Sequence, residues 1–386
     1  MKAVKNKAEI EIYMKVVIAI DSFKESMTSM EAGNAVKKGI LAAKPDAEVW
    51  LSPLADGGEG TVDALIEGLG AEKIPVTVAG PLGEKVSCYY GFLEETKTAV
   101  MEMASAAGIT LVTKKDPLRA STYGVGEMIA DALKRGCKNF MIGIGGSATN
   151  DGGIGMLKAL GFEFFDEDGN DVGEGAAALA KIEVIRTENK NPLLSGAKFQ
   201  IACDVKNPLC GKQGATYIFG SQKGVTEEQK DQIDEAMRHY ADVTKESLDC
   251  DFADCEGAGA AGGLGYAFLS YLAGELIPGV ELILQATGLE EKMKNADVVV
   301  TGEGRLDAQT VMGKAPAGVA ALAKKYNAKV IAFAGSVAPE AKVCNRAGID
   351  AFFPIVRGVT TLEEAMKKEN AMENIAATAE QVFRLL

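Results

Sequence analysis

The chain has 386 residues, 47% hydrophobic and 25% charged, an ordinary globular composition whose length suggests two domains. A formal net charge of -13 excludes the basic surface of a nucleic-acid binder, so an anionic ligand would have to be met by a few focused cations and backbone N–H groups. Seven cysteines, none in a C-x-x-C pair, read as reduced cytosolic thiols rather than a disulfide frame or zinc site, and no apolar run reaches the roughly 18–20 residues that cross a bilayer.

The first thirteen residues carry both charge signs, lack a signal-peptide core and read as an extension. Val16–Ile20 is a continuous β-branched run, as expected of a buried parallel strand, and ends in Asp21-Ser22-Phe23-Lys24. Thr28 and Glu31 form a capping box for a helix stopped at Lys44-Pro45. A strand near Ala47–Leu51 leads into Ala55-Asp56-Gly57-Gly58-Glu59-Gly60 and a second helix. After Gly70 the pattern changes: three short runs between 74 and 102, separated by turn residues, read as an antiparallel meander. A helix over about 121–135 precedes Phe140-Met141-Ile142, a strand that enters GIGGSATNDGGIG at 143–155. Phe199–Val205 is a strand delivering Asp204. A capping box at Thr226 and Gln229 opens a polar helix carrying His239, the single histidine, which argues against a Ser-His-Asp hydrolase or a multi-histidine metal site. GAGAAGGLG at 257–265 is expected to open a helix through Leu276. The α/β rhythm then returns, with strands at Asp297–Thr301, Val330–Ala334 and Ala351–Val356.

The simplest architecture makes the two ends one discontinuous domain of five parallel strands, residues 14–75 and 286–386, with a mixed-sheet α/β domain, residues 76–285, inserted into it.

The 143–155 stretch reads as a strand-to-helix loop. Gly145, Gly146, Gly152 and Gly153 allow close approach of a ligand, while Ser147, Thr149, Asn150 and Asp151 bring polar groups to a helix N-terminus, the make-up of an anion or metal–phosphate site. Gly143-x-Gly145-x-x-Ala148 also satisfies a loose dinucleotide fingerprint, but Asp151 would set a negative charge beside the pyrophosphate. A phosphate–Mg²⁺ complex uses such a carboxylate. No Walker A loop is present, since Ala315 follows Gly313-Lys314. Asp21, Asp56, Asp204 and Asp307 lie at strand ends or in Gly-rich loops, accompanied by Lys24, Lys206, Arg305 and Lys314. Phosphoryl transfer needs carboxylates for Mg²⁺, a carboxylate base and cations for the developing charge.

The stretches IAIDSFKESM (18–27), PLADGGEGTVDAL (53–65), GIGGSATNDGGIGMLKALG (143–161), ACDVKNPLCGKQGAT (202–216), GAGAAGGLG (257–265) and TGEGRLDAQTVMGKAPAGVA (301–320) resemble the bacterial type-1 glycerate kinases over nearly the whole chain from Met14. The resemblance implies an α/β fold in which the discontinuous domain is flavodoxin-like. It also implies ATP-dependent phosphorylation of D-glycerate to 2-phosphoglycerate; the cysteine pattern points to the cytoplasm.

Chemistry then assigns roles as expectations. Gly145, Gly146, Ser147, Thr149, Asn150, Gly152 and Gly153 would bind nucleotide phosphates, and Asp151 and Asp204 would serve Mg²⁺. Asp21, Ser22, Lys24, Asp56, Gly57 and Gly58 would form the glycerate site with Arg305; Asp307 would be the base, with Asp204 as runner-up. An NAD(P)-linked hydroxyacid dehydrogenase and a non-catalytic sugar-acid sensor are the rival readings. No nucleic-acid or membrane partner is expected. The oligomeric state is open, a homodimer being one option.

Overall fold

The structure, a computed structural model, describes residues 13–55 and 60–386. In chain order its strands are β1 (Lys15–Ile20), β2 (Glu48–Pro53), β3 (Glu72–Ala79), β4 (Lys85–Leu93), β5 (Thr98–Glu102), β6 (Asn139–Gly143), β7 (Glu163–Phe165), β8 (Val184–Arg186), β9 (Lys198–Ala202), β10 (Glu275–Ile277), β11 (Val298–Leu306), β12 (Lys329–Val337) and β13 (Ala351–Pro354). The chain divides into two units, one comprising the described residues up to Leu54 with Gly288–Leu386, the other Ala55–Thr287.

The first unit holds a parallel sheet in the order β13-β12-β11-β1-β2: the five apolar runs are its strands, and the order is the flavodoxin-like one that the resemblance implies. Val16–Ile20 are fully buried because helices cover the sheet, which is why the run is unbroken by polar residues. The capping box at Thr28 forms as read, and its helix, Ser29–Ala43, buries Ala32, Val36 and Ile40 with Ile375 and Ala379 of the C-terminal helix Lys368–Phe383. Ser29 ties the helix start to the sheet: its hydroxyl donates to the Ile20 carbonyl at 2.7 Å and accepts the Leu54 N–H at 2.9 Å. Gly302 is required inside β11 because a Cβ there would lie 1.9 Å from the Phe333 carbonyl of the neighbouring strand.

The second unit is built on a mixed sheet, β10-β9-β6-β5-β4-β3, antiparallel through β3, β4 and β5 and parallel from β5 to β10. The helix Thr61–Leu69 and β3 cluster here, so the division falls after Leu54 rather than at 75. The reason is local: the Val62 N–H donates to Glu102 Oε1 at 3.0 Å, and β3 pairs along its length with β4. The helix after the second Gly-rich loop stops at Leu272, not Leu276. Ala273 takes a left-handed conformation, and Glu275–Ile277 turns back to pair with β9 as β10. All seven cysteines are free thiols, and among the described residues no helix is long and apolar enough to cross a membrane.

Candidate active site

In the second unit β6 and β9 are parallel neighbours, with Gly143 opposite Ala202, so both chains leave the sheet at one carboxyl edge. Ligands of open α/β sheets bind at such edges. A cavity of about 250 Å³ opens there, walled by Gly145, Gly146 and Ser147 after β6, by Asp204 after β9, and by Lys223. The turn is pinned from behind: the Gly146 carbonyl accepts the Ile109 N–H at 2.8 Å, and the Ala148 N–H donates to Ala107 at 2.9 Å. The N–H groups of Gly145 and Gly146 meet no protein acceptor among the described residues. Asp204 is exposed, and its Oδ1 accepts the Gly279 N–H at 2.9 Å.

The rest of the loop departs from the expectation. Asp151 is fully buried and does not line the cavity. Its Oδ2 accepts the Thr122 N–H and hydroxyl, each at 2.8 Å, and the Gly155 N–H at 3.3 Å; Oδ1 accepts the Gly153 N–H at 3.2 Å. Burial pushes its carboxyl up, and these four donors oppose the shift. The following helix is only Ile154–Ala159, and the Met156 N–H donates to Thr122 Oγ1 at 2.9 Å. Asp151 therefore occupies the place at the helix N-terminus where a phosphate was expected, and it is not placed to bind a metal. The same fact removes the dinucleotide reading, which needs those N–H groups for a pyrophosphate. Thr149 and Asn150 are also fully buried, and Asn150 Nδ2 donates to Thr216 Oγ1 at 3.0 Å. Gly152 and Gly153, at φ of 62° and 80°, are packing glycines: a Cβ on either would strike Tyr240 at 2.8 Å or Ala267 at 2.4 Å.

The sequence gives Lys223 no role. It is 2% exposed, lines the cavity, and donates from Nζ to the Thr149 carbonyl at 2.6 Å. Desolvation lowers its ammonium to about 7, against the pull of Asp151. Nothing local in the sequence marks it, since its burial comes from segments far away in the chain.

In the first unit β11 runs past β1, so the Asp21 N–H donates to the Gly302 carbonyl at 2.9 Å and the Ser22 N–H caps Asp21 Oδ1 at 2.7 Å. A cavity of about 400 Å³ lies at the strand ends, walled by Lys24, Ser26, Gly304, Gly335 and Ser336, with Ile355 among its apolar lining. Lys24 is exposed at its mouth; Asp21, Ser22, Arg305 and Asp307 do not line it. Arg305 Nε stands 3.7 Å from Asp307 Oδ2, while Asp307 Oδ1 accepts the Gln309 N–H at 2.8 Å. Glu303 was given no role by sequence, yet it is 8% exposed, accepts the Thr310 hydroxyl at 2.7 Å and pairs with Lys314 Nζ at 3.2 Å. Burial raises its carboxyl, with Thr310 and Lys314 opposing. A carboxylate between Gly302 and Gly304, following the apolar run Val298–Val300, was the available signal. Asp56, Gly57 and Gly58 lie outside the described residues. Among the described residues no three His, Cys, Asp or Glu side chains gather to hold a metal. His239 takes no part; its Nε2 lies 2.8 Å from the Ile182 carbonyl.

Comparison with known proteins gives the family. The chain is 45% identical over 371 residues to a glycerate kinase of Bacillus subtilis (strain 168), covering 96% of this chain and 97% of that one. It is 45% identical over 372 residues to a glycerate 2-kinase of Escherichia coli (strain K12), covering 95% and 98%. A crystal structure described as glycerate kinase 2 from Salmonella typhimurium LT2 matches with a TM-score of 0.89 and 43% identity, covering 96% of this chain and 98% of that one. The family profile "Glycerate kinase family" matches residues 16–386, and the chain belongs to that family.

Proposed function

We propose that the chain transfers the γ-phosphoryl group of ATP to a hydroxyl of D-glycerate, giving 2-phosphoglycerate. The observation that carries the reading is the cavity at the β6 and β9 ends, where two N–H groups without acceptors among the described residues stand with one carboxylate, in a chain of this family. Gly145, Gly146 and Ser147 cradle the nucleotide phosphates, backbone N–H groups being suited to anionic oxygens. Asp204 fits Mg²⁺ in the way that ion is usually held, by one or two carboxylates with the rest of its shell from phosphates and water. When bound, Mg²⁺ offsets charge on the triphosphate. In the first unit Lys24 and Arg305 bind the glycerate carboxylate, with Asp21 and Ser22 orienting the loop, and Asp307 accepts the hydroxyl proton. Asp56, Gly57 and Gly58 belong with the glycerate set. Asp151, Thr149, Asn150, Gly152 and Gly153 hold the loop in shape rather than touching ligand. The seven free cysteines fit a cytoplasmic protein.

The test is ATP consumption over a panel of hydroxy acids with Mg²⁺. D-Glycerate should stand out, and the product should be consumed by enolase without a mutase. Turnover of another acid alone, or nicotinamide reduction without ATP, would sink the reading.

A further inference from the structure

Lysine is almost never fully buried unless paired. Lys223 is 2% exposed, yet among the described residues it forms no ion pair, and one carbonyl, that of Thr149, takes one of its three N–H groups. Satisfying a single carbonyl does not need a charge; a neutral donor would do so without the desolvation penalty of a buried ammonium. What distinguishes the position is the cavity. Among the described residues that wall it, Lys223 is the only cation and Asp204 the only carboxylate, and Gly145 and Gly146 are in the same wall. The Asp151 carboxylate attracts the ammonium from beyond ion-pair distance; an anionic oxygen entering this space would supply the direct contact that Lys223 lacks.

We propose that Lys223 is a ligand-contacting residue whose ammonium takes an anionic oxygen of the substrate bound in this cavity. The inference rests on the kinase reading and deepens it. A nucleotide phosphate and the glycerate carboxylate share this chemistry; the neighbouring N–H groups favour the phosphate. A charge-assisted hydrogen bond of this kind is strong because both partners are withdrawn from water.

Calorimetric titration of wild-type, Lys223→Met and Lys223→Gln proteins tests it, with the Mg²⁺ complex of a non-hydrolysable ATP analogue in one arm and D-glycerate in the other. Lys223→Gln keeps a donor for the Thr149 carbonyl, so it separates loss of charge from loss of that bond. Thermal melting checks that each variant is folded. Both variants should bind the nucleotide analogue roughly 10- to 150-fold more weakly, as expected for a hydrogen bond to a charged group, with glycerate affinity unchanged. The opposite pattern supports the ammonium–anion contact and assigns it to the carboxylate. Unchanged affinity for both ligands in a folded Lys223→Gln protein overturns the inference. Wild-type protein that binds neither ligand overturns the kinase reading itself, and the inference with it.

Discussion

Asp151 and Thr122 are joined twice, the Thr122 N–H and hydroxyl both donating to Asp151 Oδ2 at 2.8 Å, and the same hydroxyl accepts the Met156 N–H at 2.9 Å. One carboxylate thereby closes the start of the Ile154–Ala159 helix from inside the protein. Asp151→Asn sets an amide against four donors. Hydrogen bonds to charged groups contribute about 1.5–3 kcal/mol each and a buried donor left unmade costs about 1–3, so the variant should lose on the order of 2–3 kcal/mol. Urea unfolding of the intact chain without Mg²⁺ measures it. An Asn variant of wild-type stability that has lost its Mg²⁺ dependence would restore Asp151 as a metal ligand.

The parallel sheet of the first unit was legible because each strand is an apolar run long enough to stand out, such as Val16–Ile20 or Val298–Val300. β10 was not legible: its three residues are a strand only because β9 lies alongside, and they follow a helix with no strong breaker before Ala273-Gly274. In the 143–155 loop the composition of an anion site was visible, but not its allocation. Gly145 to Ser147 reach the cavity, whereas Asp151 turns inward to Thr122, a partner 29 residues earlier that no local pattern announces. Lys223 escaped for the same reason: its burial is set by segments such as the one at Thr149, 74 residues away. Glu303 did carry a local signal, its place between two glycines, and its partners Thr310 and Lys314 are near in the chain.

The lowered Lys223 ammonium has a consequence for stability. Its proton is held to about 7 in the folded chain against an ordinary 10.5. Between these values the unfolded chain binds a proton that the folded chain does not, so stability rises with pH across that window, by up to about 1.4 kcal/mol per unit. The groups facing Lys223 are the Thr149 carbonyl and Asp151, with Asp204 in the cavity wall. Urea midpoints between about pH 7.5 and 9.5 should rise more steeply in wild type than in Lys223→Met. Equal slopes would show that Lys223 is charged throughout.

Glu303 and Lys314 form a half-buried pair, with side chains 10% and 38% exposed. Lys314→Met leaves the carboxylate without its counter-charge, and its already raised carboxyl moves further up. A carboxyl raised on folding stabilises most at low pH and loses that contribution as pH rises through its folded value. The variant should therefore be less stable by on the order of 1–2 kcal/mol near pH 8, after allowing for the exposure of Lys314, and closer to wild type near pH 5. A penalty independent of pH would mean that the pair carries no charge coupling.

Lys24 is exposed at the mouth of the first unit's cavity and is a proposed partner of the glycerate carboxylate. Lys24→Ala should chiefly raise the glycerate KM. A charge-assisted contact contributes about 1.5–3 kcal/mol, which is roughly 10- to 150-fold. An unchanged KM removes Lys24 from the site.

The proton acceptor is the sharpest division between the two units' carboxylates. A glycerate hydroxyl is a poor nucleophile, and a positioned carboxylate can take its proton as it attacks the γ-phosphate. Asp307 follows the end of β11; one oxygen is fixed by the Gln309 N–H and the other lies 3.7 Å from Arg305 Nε, so the group is oriented and only 19% exposed. Asp204 is exposed and sits in the cavity wall beside the proposed phosphate turn, which suits Mg²⁺ better than proton transfer. Asp307→Asn keeps the size and removes the acceptor, so kcat should fall by about 10²–10⁴-fold, the usual range for loss of a general base, with nucleotide affinity little changed. Asp204→Asn should instead shift the Mg²⁺ concentration needed for half-maximal rate. Single-turnover rates and Mg²⁺ titrations on both variants separate the roles. If Asp307→Asn turns over near normally while Asp204→Asn is inactive with unaltered Mg²⁺ dependence, the two assignments are exchanged.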